Sequence, residues 1–508
     1  MDLKVTNTAL EISSEICRSE NSFGAESDLI VPDNMPDILS ILQISANAAT
    51  SACDPQNARV LLTGNVFFNI LDVADTPQRE VRAINTGAVF SNIFSAPGVR
   101  DAMPVMSEVS VSSISYNLAN CRKLSVHSDL LGRITVYSNS QLSLPTEIEG
   151  AEIQFVPVTC SVIKARGSAQ ETVTDSFELS PDKRSATEIL RDEVKILDRA
   201  IKIIRNKAII KGTIGVSILY GSEGGIQQFR GEIPFTKVVN VDGLEEDMNV
   251  EYTIDVQGWE TELSANEAGE NRSIDVETML YFNIFGKQTQ SCSAITDAYF
   301  PGQRLICEKQ SLSLCSSSEA ETEECGVKGS IRLPAAFGEI DLVHDISGSP
   351  RITRVTRDDG DIVVEGSAAI SVLYRTLNPE LPTASYSCDV EFRHILNGSK
   401  YSDLPVVTAE LKNMSCSISG SGTIEVRGIA VMTIESRSSC DRSVVTSVSL
   451  EVEDTVEAPS ILISYISSDR SLWEIAKSYN ISRDKLMAAN DIKTEEELKG
   501  RRALIIPR

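Results

Sequence analysis

The side chains that most often perform acid–base or metal chemistry are sparse in this sequence. Its three histidines, His127, His344 and His394, lie far apart, and none has a second histidine at a metal-binding spacing. Acidic clusters at 245–247 and 358–359 could hold calcium or paired catalytic carboxylates, but both stand in turn-like sequence. Neither a phosphate-binding loop nor a nucleophile elbow occurs. We therefore expect no enzyme activity, no metal and no cofactor.

The charge of the chain limits its partners. The 508 residues carry a formal net charge of −25 at pH 7. Nucleic-acid binding needs Lys and Arg for phosphate contacts, and anionic membranes repel an acidic chain. The sequence shows no signal peptide, no apolar run of membrane-spanning length and, among eleven cysteines, no C-x-x-C pair. We expect a cytoplasmic protein with free thiols that binds no nucleic acid and does not insert into membranes.

One pattern recurs at 58–73, 206–221 and 360–375: apolar residues, a glycine, then a run containing Ile-Leu or Val-Leu. A proline precedes each glycine by 31 or 32 positions, and a phenylalanine follows it by 23 to 26 positions. These landmarks are Pro32, Gly64 and Phe90, then Pro181, Gly212 and Phe235, then Pro334, Gly366 and Phe392. Three landmarks in phase indicate a tandem triplication.

Within each unit apolar and polar residues alternate with a period of two, as in SIDVETMLYFNI (273–284) and TIEVRGIAVMTI (423–434). Glycine- and serine-rich turns separate such runs, which indicates sandwich- or barrel-like β repeats. The segment 186–204 also has a helical apolar stripe, but we predict a strand because its counterpart in the third unit is strand-like. Segments 160–180 and 303–330 look like linkers.

The recurring glycine makes a structural demand. A glycine inside a strand packs nothing and usually marks a bulge or a close approach of two backbones. We interpret the three glycines as architectural rather than as ligand contacts. The sequence thus predicts a mainly β protein with repeats at 1–159, 160–302 and 303–454, followed by a different module at 461–508.

The last 48 residues have their own start and stop signals. ILISYI (461–466) and ALIIP (503–507) are short strand candidates. Ser471 stands three residues before Glu474, a capping box that begins a helix, and Ser482 can cap a second helix. Asn490 stands where a left-handed helix end is tolerated. The order is strand, helix, helix, strand.

This module resembles a LysM domain. The matching residues are Tyr465, Ser471, Leu472, Trp473, Ile475, Ala476, Tyr479, Ile481, Leu486, Asn490, Leu498, Gly500, Leu504, Ile506 and Pro507. The resemblance implies binding of N-acetylglucosamine polymers such as peptidoglycan or chitin in a groove between two loops. Carried over, the groove residues are Ser468, Asp469, Arg470, Asn490, Asp491, Ile492 and Lys493. The chain departs from the family where Ser468-Asp469 and an inserted Arg470 replace the usual Gly-Asp.

The whole architecture, with its IVPD (30–33) and PDI (36–38) opening, resembles the SipL-type spore-morphogenesis proteins of clostridia. That resemblance implies a non-enzymatic scaffold in the mother-cell cytoplasm, on the surface of the forespore. It also implies that the LysM module docks onto a coat morphogenetic ATPase during spore coat assembly.

Two other functions remain open. The protein could be a cell-wall glycan-binding protein, in which case Asp469 and Asn490 should carry the affinity. Docking to a protein could instead depend on exposed helix residues, for which we expect Trp473, Lys477 and Lys485. Segment 461–508 carries nine Lys/Arg and seven Asp/Glu, which suits electrostatic docking or merely reflects a small near-neutral domain. A carbohydrate-binding role for the β repeats themselves is the third possibility.

Overall fold

The computed structural model describes residues 3–266, 269–334, 339–401, 403–420, 422–451, 461–465, 470–498 and 503–507, without the side chains of 313–319, 437–441, 461, 495 and 496. The chain is 77% strand and 4% helix. The prediction of a mainly β protein with a small LysM module is therefore confirmed. No described helix is long and apolar enough to cross a lipid bilayer.

Eighteen of the described strands fall into three units of six. The first unit contains β1 (Val5–Ile30), β2 (Ile38–Gln56), β3 (Arg59–Ala74), β4 (Val81–Ser95), β5 (Val105–Asn120) and β6 (Lys123–Ile148). The second contains β7 (Glu152–Glu178), β8 (Glu188–Ile204), β9 (Lys207–Ser222), β10 (Gly225–Asn240), β11 (Asn249–Ala265) and β12 (Asn271–Tyr299). The third contains β13 (Arg304–Arg332), β14 (Ile340–Asp358), β15 (Asp361–Thr376), β16 (Thr383–Leu396), β17 (Val406–Ile418) and β18 (Thr423–Glu451).

Each unit has the same topology. Its first, sixth and fifth strands form one antiparallel sheet in that order, and its second, third and fourth strands form the other. The inward side chains of the two sheets make a separate hydrophobic core in every unit. This is the packing of a β-sandwich, and it follows from the alternation of apolar and polar residues along the strands.

The recurring glycine and phenylalanine are direct cross-strand partners. Gly64 pairs with Phe90, and the other two units repeat the pairing. A Cβ on Gly64 would lie 2.4 Å from Phe90 Cζ and 2.1 Å from the Ala49 carbonyl oxygen. A β-bulge lies within two residues of the position opposite each glycine. The ring therefore covers the glycine while a bulged strand presses on its other side, so the glycine is architectural.

The three units close into a ring rather than extending as a string. β4 packs on β8, β10 on β14, and β16 returns to β2 of the first unit. Leu71, Leu219 and Leu373, each seven positions after its unit's recurring glycine, meet in one buried cluster. The far ends of the long strands β6, β12 and β18 meet through Leu144, Ala294 and Val444. We call the three units together, β1 to β18, the repeat body; it has approximate threefold symmetry about these clusters.

Three expectations from the sequence are wrong. The boundary placed between 159 and 160 falls inside β7, which begins at Glu152. The supposed linkers 160–180 and 303–330 lie mostly in β7 and β13. β13 is paired with β18 almost from end to end, so this Ser- and Glu-rich segment is a strand of a sheet and not a spacer. The expected strand at 186–204 is confirmed as β8.

Candidate functional site

The LysM module consists of β19 (Ile461–Tyr465), α1 (Leu472–Ser478), α2 (Arg483–Ala489) and β20 (Ala503–Pro507). The predicted capping box is present: Ser471 Oγ accepts from the Glu474 N–H, and the Glu474 carboxylate accepts from the Ser471 N–H. Ser482 caps α2 by accepting from the Lys485 N–H. The helices pack on one face of the antiparallel pair β19–β20, so the module has its own core.

Asn490 holds the module together from within. Its side-chain amide donates to the carbonyls of Leu486 and Ile505, at 2.8 and 2.7 Å, and accepts from the Ile505 N–H at 2.7 Å. These bonds tie the end of α2 to the outer edge of β20. Asn490 is 7% exposed and has φ −117°, so the expected left-handed residue is wrong by one position: it is Asp491, with φ 50°.

The predicted groove residues divide by exposure. Arg470, Asp491 and Lys493 are exposed, and Ile492 is 5% exposed and belongs to the core. Ser468 and Asp469 lie outside the described residues. The described residues therefore offer two basic and one acidic side chain for a ligand, while Asn490 and Ile492 support the fold. Their binding roles stay predictions.

The helix face that we expected to be exposed is turned toward the repeat body. Trp473 is 5% exposed, so its expected exposure is wrong. Its indole N–H donates to Asp297 of β12 at 3.0 Å, and Lys477 Nζ lies 2.6 Å from the same carboxylate. Lys309 of β13 approaches it to 3.1 Å. Of the three residues predicted on the docking face, Lys485 alone is exposed, and its side chain forms no ion pair with the described residues.

The Asp297 carboxylate is ionised, which suits its contacts with the Lys477 and Lys309 ammonium groups and the Trp473 indole. Burial by itself would raise the pKa of Asp297, but hydrogen bonds from Lys477, Trp473 and Lys309 outweigh it. The pKa of Asp297 therefore lies below its usual value, and the group is ionised at neutral pH. A charged acceptor makes hydrogen bonds about twice as strong as a neutral one.

Three further contacts complete this docking interface. The Tyr299 ring meets the Trp473 ring edge-on, with centroids 4.9 Å apart. Arg483 at the start of α2 pairs with Glu152 of β7 at 3.0 Å. The Gly302 N–H donates to the Asn480 carbonyl at 2.7 Å. The LysM module thus sits against the junctions that join the units, with the helix face inward. Sequence reasoning missed Asp297 and Tyr299 because they are over 170 positions from Trp473 and belong to no motif.

The opposite face of the module is apolar and uncovered by described residues. Tyr465 is 84% exposed, Ile463 62% and Ile505 44%. Ile463 pairs directly with Ile505, so these side chains share the outer face of the β19–β20 sheet. We call Ile463, Tyr465 and Ile505 the outer sheet face. Exposed apolar side chains that are contiguous in this way are typical of protein-binding surfaces.

The described residues form no cluster of His, Cys, Asp or Glu that could hold a metal ion. His127 pairs with Asp129 in the first unit, and His394 pairs with Glu323 in the third unit. Burial lowers the pKa of His344, which leaves that ring neutral at pH 7.

Comparison with known proteins identifies two domains. The family model described as SipL, SPOCS domain matches residues 185–264, and the LysM domain model matches residues 468–507. The first match covers β8 to β11 of the second unit, and the second covers the helices and β20. No curated protein and no solved structure matches the chain. Both domains are non-catalytic binding modules.

Proposed function

The chain combines the SPOCS and LysM domains of a SipL-type, sporulation-related protein, and on that premise we propose that it is a non-enzymatic scaffold of spore coat assembly. In this proposal it works in the mother-cell cytoplasm, at the forespore surface. Its LysM module docks onto a coat morphogenetic ATPase, and the repeat body fixes the place and orientation of that module.

The fixed seat of the LysM module supports the scaffold role. Trp473 and Lys477 bind Asp297 of β12, and Arg483 binds Glu152 of β7, so two strands of the second unit hold the same small module. A binding module that is already oriented loses less rotational freedom when its partner arrives. This arrangement favours presentation of one face to a large partner over free movement on a tether.

The surface left for the partner is the outer sheet face together with the exposed loops. Aromatic residues flanked by charge are over-represented among residues that dominate protein interfaces. Tyr465 is the most exposed large apolar residue of the described chain, and Arg470 and Lys493 are exposed in the same module. We therefore assign partner docking to this face and to Lys485, and no longer to Trp473.

Binding of the purified coat ATPase to the full chain tests the proposal. We expect Tyr465→Asp to weaken binding by about tenfold or more, because a central aromatic contact contributes about 2 kcal/mol. Val89→Asp is the matched control, since Val89 is 79% exposed on β4 of the first unit. The proposal is wrong if the full chain does not bind the ATPase, or if the two substitutions weaken binding equally.

The LysM match also favours a second function, binding of N-acetylglucosamine polymers. Chitin oligomers titrated into the same preparations distinguish it. Asp491→Ala and Lys493→Ala, which change exposed side chains, should weaken glycan binding, whereas Tyr465→Asp should leave it unchanged. Asn490 is unsuitable as a probe because its replacement would break three hydrogen bonds inside the module.

A further inference from the structure

A cavity of about 450 Å³ lies between the first and second units, remote in sequence from the LysM module. Its floor is the outward face of the sheet β7–β12–β11, and its walls come from β2 and from the start of β5 in the first unit. The volume lies within the range of small-molecule sites. Because the walls and the floor belong to different units, the cavity exists only when the first and second units are packed together.

The strand register brings polar side chains together on the floor. Asn283 of β12 pairs with Ser168 on one side and Thr253 on the other. The next outward row pairs Tyr281 with Gln170 and Asp255. Side chains two positions apart on a strand share a face, so the two rows lie side by side. The floor therefore presents an amide, a phenol, a carboxylate and several hydroxyls at one place.

The row that contains Asn283 is occupied by different residue types in the other two units. When the buried Ile134, Ile284 and Ile434 are taken as equivalent, Asn283 corresponds to Arg133 in the first unit and Thr433 in the third. Arg133 pairs with Glu20 at 2.6 Å and Glu108 at 3.8 Å, so the first unit's row is filled by an ion-pair network. The third unit's row is three threonines, Thr322, Thr433 and Thr408. The amide row facing a cavity is particular to the second unit.

The described residues leave several polar groups in this cavity with few or no hydrogen-bond partners. No described residue hydrogen-bonds the Asn283 amide or the Arg166 guanidinium, and Asp255 accepts only a 3.5 Å bond from Thr253. Although solvent reaches Asp255, the surrounding walls raise its pKa to about 6, and Glu108 of β5 adds to the rise while Arg199 of β8 opposes it. Groups with such unused capacity are available to a ligand.

We propose that this cavity is a binding site for a short, neutral saccharide. Arg166 and Asp255 carry opposite charges, so a neutral ligand suits the site better than an ion of either sign. Hydroxyl groups both donate and accept, and they match an amide, a guanidinium and a carboxylate that offer both kinds of partner. Met103 and Met106 supply the apolar wall that the C–H face of a sugar ring requires. The site is independent of the LysM module and of its partner.

Calorimetric titration of the full chain with cellobiose, maltose and N,N′-diacetylchitobiose tests the proposal. We expect saturable binding of at least one of them. Asn283→Leu should weaken it by about tenfold or more, since it removes both hydrogen-bonding ends of the amide and fills the floor. Tyr281→Phe is the milder variant, losing one hydroxyl, with an expected loss of about threefold to tenfold. Thr433→Leu, at the same row of the third unit, should leave affinity unchanged.

Four outcomes would overturn the proposal. The first is no saturable binding of any of the three disaccharides by the correctly folded chain. The second is equal loss with Thr433→Leu and Asn283→Leu. The third is loss with Asp491→Ala but not with Asn283→Leu or Tyr281→Phe, which would place the sugar on the LysM module. Binding of glycylglycine in place of the sugars would show that the cavity selects a zwitterion, and would also overturn it.

Discussion

Replacing Asp297 by alanine should release the LysM module from the repeat body. The carboxylate accepts from the Trp473 indole at 3.0 Å and binds Lys477 at 2.6 Å. A hydrogen bond to a charged group contributes about 1.5–3 kcal/mol. The Lys477 side chain is 41% exposed, so its ion pair adds less than about 1 kcal/mol. Together they stabilise docking by about 1.5–4 kcal/mol, which is about a 10- to 1000-fold change in the ratio of docked to undocked module.

Tryptophan fluorescence can report this release. The chain has two tryptophans, so a Trp259→Phe background leaves Trp473 as the sole emitter. Undocking removes Asp297 and the Tyr299 ring from the indole and exposes it to water, so emission should move to longer wavelength and iodide should quench it more strongly. The control is Asp341→Ala, which removes a carboxylate paired with Arg375 at 2.5 Å in the third unit.

Acid should have the same effect as the substitution. The pKa of Asp297 is lowered in the docked state, so its contribution is complete above the usual Asp pKa of about 4 and is lost as pH falls through the lowered value. The parent should therefore show a red shift of Trp473 below about pH 4 that Asp297→Ala lacks. Unchanged emission in Asp297→Ala at pH 7, or an equal shift in Asp341→Ala, would refute the assignment of Asp297 as the anchor.

Three other substitutions test the repeat body. Gly212→Ala puts a Cβ 2.5 Å from a carbonyl oxygen and 2.7 Å from Phe235, and should cost about 1–3 kcal/mol by denaturant unfolding, whereas Gly326→Ala, with open space, should stay within about 0.5 kcal/mol. Arg191→Ala leaves the buried Asp345 carboxylate without its ion-pair partner between two units and should lower the free energy of unfolding by about 3–5 kcal/mol. The control Lys4→Ala, at an exposed pair, should lower it by less than about 1 kcal/mol. Equal losses would contradict the importance of the buried pair. Desolvation by the cavity walls raises the pKa of Asp255 to about 6, so its contribution to stability is present below its unfolded pKa and is lost as pH rises through 6. Asp255→Asn should accordingly gain thermal stability relative to the parent between pH 4 and pH 7, and a constant difference would count against the raised pKa.

Local signals in the sequence predicted the LysM helices. A capping box needs only residues three apart, and Ser471 and Glu474 form it as expected. The alternation of apolar and polar residues likewise predicted strands, including 186–204, where β8 covers 188–204, because a strand's two faces are set by successive residues. Composition misled at β13, since Ser and Glu suit a solvent-facing strand as well as a linker.

Side-chain exposure in the LysM module was harder to predict. Trp473 was expected on an exposed face, yet Asp297 and Tyr299 cover it. Nothing within the module's 48 residues signals a carboxylate on a strand of the second unit. The exposure of Asn490 was equally hard to predict. The sequence position after α2 suits a loop residue that faces a ligand, but it also suits a buried amide that bridges α2 and β20, which is what the structure shows.

The sequence by itself determined the triplication, the strand periodicity, the LysM helices and the architectural glycines. All of these depend on spacings within a segment or on repetition of one segment. The closed ring, the docked LysM module and the cavity floored by Asn283 depend on which faces meet after the units fold. Contacts of that kind join residues more than one hundred positions apart, and only the tertiary structure decides them, because no local pattern encodes which neighbouring surface a strand or helix will meet.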